Sequence, residues 1–208
     1  MAQIFKRNTE KKGLVVVWKI EESADELLQY LKLRRQDLER VKSFKLEARK
    51  QEFLAARCLI KQVLGAEPEI DYLDSGKPIL KNSPYKISIS HTKGYVVVAF
   101  SENNLTGVDI EHPSDRVARV SKRFVSSQEE RFIPDNKKVE YYTIMWCLKE
   151  SMYKMYDRQN SIFNINFICH PFKLQREGKI SATFDFEERR TMDFEYLTTE
   201  DFYLVYHC

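Results

Sequence analysis

The sequence predicts an α+β fold, and three observations predict it. Runs rich in β-branched residues, such as residues 13–20 (Gly-Leu-Val-Val-Val-Trp-Lys-Ile) and Tyr95 to Phe100, read as strands. Two longer stretches, from about Leu46 to Leu64 and around Trp146, read as helices. From Asn164 onward the chain returns to strand patterns. Both halves therefore run strand, long helix, later strands, and we expect two similar α+β units over residues 1–103 and 104–208.

The chain has 208 residues, enough for one large domain or two small ones with a real core. With 43% hydrophobic and 31% charged residues it has an ordinary globular composition. The start, Met1-Ala2-Gln3-Ile4-Phe5-Lys6-Arg7, carries no apolar run of signal-peptide length, and no stretch approaches the roughly 20 apolar residues that span a bilayer. Cys58, Cys147, Cys169 and Cys208 form no CxxC pair, and His91, His112, His170 and His207 show no HxH or HxxxH spacing, so a zinc site is not expected. Scattered thiols without a targeting segment point to a reducing cytoplasm. Net charge is only +3 but uneven: from Lys32 to Lys61 basic residues exceed acids by six. Such a run attracts phosphates or an acidic partner, or else is a solvated helix face.

Taken in order, residues 13–20 form the first strand, and Ser23 with Glu26 is a capping-box pattern opening a helix through Leu27, Leu28 and Leu31. The helix of residues 46–64 buries Phe53, Ala56, Ile60, Val63 and Leu64 and stops at Gly65. Lys42, Lys45, Arg49 and Lys50 lie at or before its N-terminus, which itself favours anions. Asp74 to Leu80 is a turn in which Pro78 pushes Lys77 to an extended shape. Strands Lys86 to Ser90 and Tyr95 to Phe100 follow, joined through Lys93-Gly94, with Ser90 and His91 at the end of the first. Ser126 with Glu129 is a second capping box before a short helix, which Pro134-Asp135-Asn136 breaks. The later strands are Ile165 to Cys169, Ile180 to Phe186, Met192 to Leu197 and Phe202 to His207.

The chemistry concentrates between Gly107 and Lys154. Gly107-Val108-Asp109-Ile110-Glu111 reads as a strand, so Asp109 and Glu111 project to one face. In the helix Trp146-Cys147-Leu148-Lys149-Glu150-Ser151-Met152-Tyr153-Lys154, residues four apart put Trp146, Glu150 and Lys154 on one face. Bringing that helix beside that strand gathers three carboxylates and an ammonium, and such oxygen donors suit Mg²⁺. Two solvated acids on a surface strand and an ordinary helix ion pair are the bland alternative.

Those two stretches, with Arg116 downstream of the first, resemble the two signature motifs of 4'-phosphopantetheinyl transferases. Gly76-Lys77-Pro78-Ile79-Leu80 and Ile87-Ser88-Ile89-Ser90-His91-Thr92 look like the additional motifs of the Sfp-type branch, and Phe124 to Glu129 fits its intervening segment. The chain departs from the pattern at Cys147, where threonine or serine is common, at Asp157, where glycine is expected, and at Ser88, where asparagine is common. The resemblance implies a pseudo-symmetric monomer with the active site in the cleft between its halves. It implies transfer of 4'-phosphopantetheine from coenzyme A to a serine of an apo acyl or peptidyl carrier protein, releasing adenosine 3',5'-bisphosphate. Asp109, Glu111 and Glu150 would hold Mg²⁺, Glu150 would help deprotonate the serine, and Lys154 would sit against the phosphates. Lys42, Arg49, Lys77 and His91, with the Ser90 hydroxyl nearby, would take the 3'-phosphate of coenzyme A, with Lys45 and Arg40 as substitutes for Lys42. Arg57 would support the helix or a nearby acid. Arg116, Arg119, Lys122 and Arg123, with Val117 or Val120, would dock the acidic carrier. Fatty-acid, polyketide and peptide-synthetase carriers all fit.

Two other classes compete. Two strand acids with a lysine also serve a metal-dependent nuclease or phosphodiesterase, which has no need of the upstream Lys-Pro and Ser-His motifs. A non-catalytic module binding an acidic partner would leave the carboxylates unexplained. Neither nucleic acid nor membrane is an expected partner.

Overall fold

The computed structural model describes residues 2–10, 12–102, 105–158 and 160–208. The chain divides into two compact units, Met1–Asn104 with Cys208, and Leu105–His207. The architecture is mixed α+β, with several sheets and helices.

The first unit contains β1 (Ala2–Asn8), β2 (Leu14–Lys19), α1 (Ala24–Gln29), α2 (Arg35–Ser43), α3 (Glu47–Leu64), β3 (Ile70–Tyr72), β4 (Pro78–Leu80), β5 (Lys86–Thr92) and β6 (Tyr95–Ser101). Its main sheet has the order β1-β2-β6-β5 and is antiparallel throughout, while β3 and β4 form a separate ribbon. Leu54, Ala55, Leu59 and Ile60 of α3 share a core with Val16, Trp18, Val96, Val98 and Phe100 of the sheet. The capping box expected at Ser23 is present: Ser23 Oγ accepts from the Glu26 amide, and Glu26 accepts from the Ser23 amide at 2.8 Å. α3 stops where expected, at Gly65, whose φ of 70° lets its amide reach the Lys61 carbonyl at 2.8 Å.

Arg57 is buried in α3 and pairs with Asp37 of α2 at 2.7 Å. Its guanidinium lies 3.4 Å over the Phe53 ring. Arg34 also reaches Asp37, at 3.2 Å, so one buried carboxylate ties α2 to α3. The sequence reading assigned the supporting role to Arg57 but did not anticipate α2 as a helix or β1 as a strand.

The second unit contains β7 (Gly107–Glu111), α4 (Asp115–Val120), α5 (Ser127–Glu130), α6 (Lys138–Tyr156), α7 (Phe163–Asn166), β8 (Phe167–Cys169), β9 (Glu177–Phe184), β10 (Arg190–Thr198) and β11 (Tyr203–His207). The sheet order is β7-β11-β10-β9-β8, again antiparallel. The core joins Ile144, Met145, Leu148 and Met152 of α6 to Phe184, Phe194, Tyr196 and Val205 of the sheet. The strand expected from Ile165 begins only at Phe167. Residues 165 and 166 belong to a helical turn closed by the Asn166 amide on the Ile162 carbonyl at 2.7 Å. No helix among the described residues is long and apolar enough to cross a membrane.

α6 ends on Asp157, which holds φ 54° and donates its amide to the Tyr153 carbonyl at 2.9 Å. The departure at this position is thereby explained: the backbone is left-handed, and aspartate fills a conformation that glycine adopts without steric cost. We expect Asp157→Gly to raise stability by about 0.5–1 kcal/mol in urea denaturation. A destabilised variant would show that contacts of the Asp157 side chain outweigh the backbone strain.

Candidate active site

β7 lies at one edge of its sheet, with Asp109 opposite Val205 and Glu111 opposite Tyr203 of β11. Alternation puts Gly107, Asp109 and Glu111 on one face, and that face meets α6. A Cβ on Gly107 would fall 2.1 Å from the Ser151 carbonyl oxygen and 2.6 Å from Met155 Cγ, so only glycine admits the helix this close. Lys154 Nζ donates to Asp109 Oδ1 at 2.7 Å and to the Val108 carbonyl at 3.1 Å. Ser151 Oγ donates to the Val205 carbonyl at 3.0 Å, and Cys147 Sγ approaches the Tyr203 carbonyl at 3.6 Å. The cysteine that replaces the common threonine or serine is thus wholly buried, and burial holds its thiol well above the usual range.

Trp146 stacks on Phe163 with centroids 5.6 Å apart and meets Phe124 edge-on at 5.1 Å. Trp146 and Glu111 line the same cavity. The Glu111 carboxyl is pushed up to about 7, first by burial and then by the Asp109 charge. Burial, followed by the same Asp109 charge, pushes the Glu150 carboxyl up to about 7 as well. Asp109, Glu111, Glu150 and Lys154 therefore share one electrostatic neighbourhood in which acids outnumber the ammonium.

Among the described residues no three carboxylate, imidazole or thiol side chains are already gathered around one point. The donor set nonetheless fits a divalent cation. Three carboxylates supply hard oxygen ligands, and the burial and Asp109 charge that lift Glu111 and Glu150 are what such an ion offsets. Beside the acids lies a cavity of about 350 Å³ lined by Glu111, Arg116, Val117, Val120, Arg123 and Trp146, among others. Arg116, Arg119, Lys122 and Arg123 are all exposed.

The phosphate candidates occupy the first unit. A cavity of about 270 Å³ there is lined by Arg40, Arg49, Glu52, Phe53, Arg57 and His91, among others. Arg49 Nη1 lies 3.0 Å from His91 Nε2 and 2.9 Å from Glu52 Oε2, and Glu52 also lies 3.4 Å from His91 Nδ1. Arg49 and His91 are thus brought together. Ile89 and His91 line the cavity, while Ser90, between them on β5, is buried and turned to the other face. Lys77 is half-buried between two cavity-lining neighbours, Gly76 and Pro78. Lys42 is exposed on α2 and is not among the residues that line the cavity, whereas its alternative Arg40 is. Sequence reasoning missed Glu52, which holds both Arg49 and His91. Its place three residues after Arg49 on α3 was the available signal.

The second unit therefore presents an acid-bearing sheet edge covered by a helix that supplies a further acid and a lysine. Residues 106–206 match the family model described as the 4'-phosphopantetheinyl transferase superfamily. That stretch is similar to the superfamily, and the match supports phosphopantetheinyl transfer as the general class of chemistry. A search of curated proteins found no match.

Carboxyls raised in the folded state favour folding less as they ionise. Their contribution is fully present below the unfolded value near 4.5 and declines as pH climbs through about 7. A cation bound among them reverses that penalty. Mg²⁺ should therefore raise the melting temperature more at about pH 8 than at about pH 6. A gain that grew on acidification would rule out Glu111 and Glu150 as its ligands.

Proposed function

We propose that this chain transfers the 4'-phosphopantetheine of coenzyme A to a serine of an apo carrier protein and releases adenosine 3',5'-bisphosphate. The observation that carries the reading is the packing of Glu150 and Lys154 against the Asp109/Glu111 strand, within the stretch that matches the superfamily. Asp109, Glu111 and Glu150 would hold Mg²⁺, which when bound offsets charge on the pyrophosphate oxygens. Glu150 takes the proton of the carrier serine, directly or through water. The serine oxygen forms a bond to the phosphorus nearer the pantetheine. The bond from that phosphorus to the bridging pyrophosphate oxygen breaks, and adenosine 3',5'-bisphosphate leaves with the electron pair. Lys154, already 2.7 Å from Asp109, carries the ammonium that stabilises charge developing on the phosphates.

Arg49 and His91 of the first unit, with Lys77 and with Arg40 or Lys42, would receive the 3'-phosphate of coenzyme A. Arg40 has the better claim of those two, because it lines the cavity that holds Arg49 and His91. The exposed cations Arg116, Arg119, Lys122 and Arg123 suit an acidic carrier surface and would raise its rate of association. The reading places the protein in the cytoplasm as a monomer of the Sfp-type branch.

The decisive experiment is intact-mass spectrometry of apo acyl and peptidyl carrier proteins incubated with the protein, coenzyme A and Mg²⁺. We expect a gain of one phosphopantetheine, abolished by EDTA and slowed about a hundredfold or more by Glu150→Ala. No gain with several carriers, and no calorimetric binding of coenzyme A, would overturn the reading and bring a nuclease assay on plasmid DNA to the front.

Kinetics should separate the two substrates. Arg49→Ala should raise KM for coenzyme A about tenfold, with a much smaller effect when the donor lacks its 3'-phosphate, and leave the carrier KM unchanged. Arg119→Glu with Lys122→Glu should raise only the carrier KM and flatten its salt dependence. Equal effects of either change on both substrates would refute this division of labour.

A further inference from the structure

Lys149 stands between Trp146 and Glu150 in sequence, and the transfer chemistry does not use it. Its side chain is fully buried, at 0% exposure. Nζ donates to the Phe124 carbonyl at 2.6 Å and to the Phe163 carbonyl at 3.2 Å. It also pairs with Glu129, at 2.7 Å to Oε1 and 2.9 Å to Oε2. Glu129 is itself 2% exposed and accepts the Ser126 and Cys169 amides, each at 2.7 Å. The pair thus ties α6 to α5, to β8, to the first residue of α7 and to the carbonyl of Phe124.

Those two carbonyls belong to the residues whose rings hold Trp146. Phe124 meets the indole edge-on and Phe163 stacks on it. Trp146 in turn lines the same cavity as Glu111. A route of contacts therefore runs from the buried ammonium, through the Phe124 and Phe163 backbones, to the Trp146 ring, which shares a cavity wall with the acid Glu111. A buried ion pair is a weak device for stability alone, since apolar residues of the same volume commonly serve as well. What an ammonium supplies, and an apolar side chain cannot, is several directed hydrogen bonds in fixed relation to one another.

We infer that Lys149 and Glu129 are a positioning pair: by clamping the Phe124 and Phe163 backbones they fix the Trp146 indole beside Glu111 in the cavity that both line and so hold the acid cluster in shape. Its catalytic consequence rests on the transfer reading, whereas its consequence for metal binding does not.

The test compares the full-length protein with Glu129→Gln and Lys149→Met, below the melting temperature of each variant. Mg²⁺ alone is titrated by calorimetry, and kcat and KM are measured with coenzyme A and a carrier. We expect Mg²⁺ affinity and kcat each to fall about tenfold or more, with KM for coenzyme A unchanged. Trp146→Phe should give a similar loss and add little on top of Glu129→Gln, because both act along one route. A lower melting temperature with unchanged Mg²⁺ affinity and kcat would make the pair structural only and overturn the inference. Should Lys149→Met not fold, Glu129→Gln carries the test, since its amide oxygen keeps the shape and can still accept the Ser126 or Cys169 amide. If the unaltered protein transfers nothing, the transfer reading fails and the calorimetry still decides the positioning role. If it binds no Mg²⁺, both fail.

Discussion

The second unit depends on how closely α6 lies on β7. Gly107 sets that distance, because any side chain there would collide with the Ser151 carbonyl. Once the helix is this near, small polar groups on its inner face reach the sheet backbone: Ser151 to Val205 and Cys147 to Tyr203. At the helix C-terminal end Lys154 reaches both the Val108 carbonyl and Asp109. A longer separation would leave these groups buried without partners, at a cost of about 1–3 kcal/mol each. The same packing sets Glu150 of α6 within reach of the Asp109 charge. Glu111 and Glu150 are half-buried there, and burial followed by the Asp109 charge pushes both carboxyls up to about 7. Packing and the demand for a counter-charge are two results of one missing Cβ.

Buried charge is handled differently elsewhere in the protein. The Lys149–Glu129 pair saturates its hydrogen-bonding capacity within the protein, through Phe124, Phe163, Ser126 and Cys169. The Arg57–Asp37 pair matches its charges in the first unit, with Arg34 as a second donor to the carboxylate and Phe53 under the guanidinium, though among the described residues Arg57 Nε is buried without a hydrogen-bond partner. Both are closed assemblies in which every charge meets an opposite one. The acid cluster of β7 and α6 differs: Glu111 and Glu150 are both pushed up to about 7, first by burial and then by the Asp109 charge, and Lys154 pairs with Asp109. Shifted carboxyls of this kind are what the proposed cation site uses, whereas the two structural pairs are internally matched.

Much of this was legible where the signal is local. The two capping boxes, the glycine stop of α3, the β5–β6 pair and the acid strand follow from rules that act over a few residues, and the structure contains each. α2 was not legible: Arg34 gives it no side-chain cap, and only Asp37 and Val41 are buried on it. What orders it is a buried arginine twenty residues away. Ile165 reads as strand by its neighbours, yet the Asn166 amide closes a turn on Ile162 first. In the candidate site, spacing made legible only the shared face of Asp109 and Glu111 and that of Trp146, Glu150 and Lys154, while their proposed roles came from the family resemblance. Lys149 was not legible, because a lysine beside a glutamate on a helix looks solvent-facing until the partner at Glu129 is known. Ser90 and His91, adjacent in the motif, lie on opposite faces of their strand, a separation that the two-residue period dictates.

The chain has only two tryptophans, and they are divided between the units. Trp18 sits at 0% exposure in the first core, hydrogen-bonded to Glu22, while Trp146 lies in an aromatic stack in the second. Each unit thus carries its own intrinsic fluorophore in a distinct setting. Emission changes on unfolding have two separable origins, and a single phenylalanine replacement would silence one of them. The protein is built to report whether its units melt together or apart, without any added label.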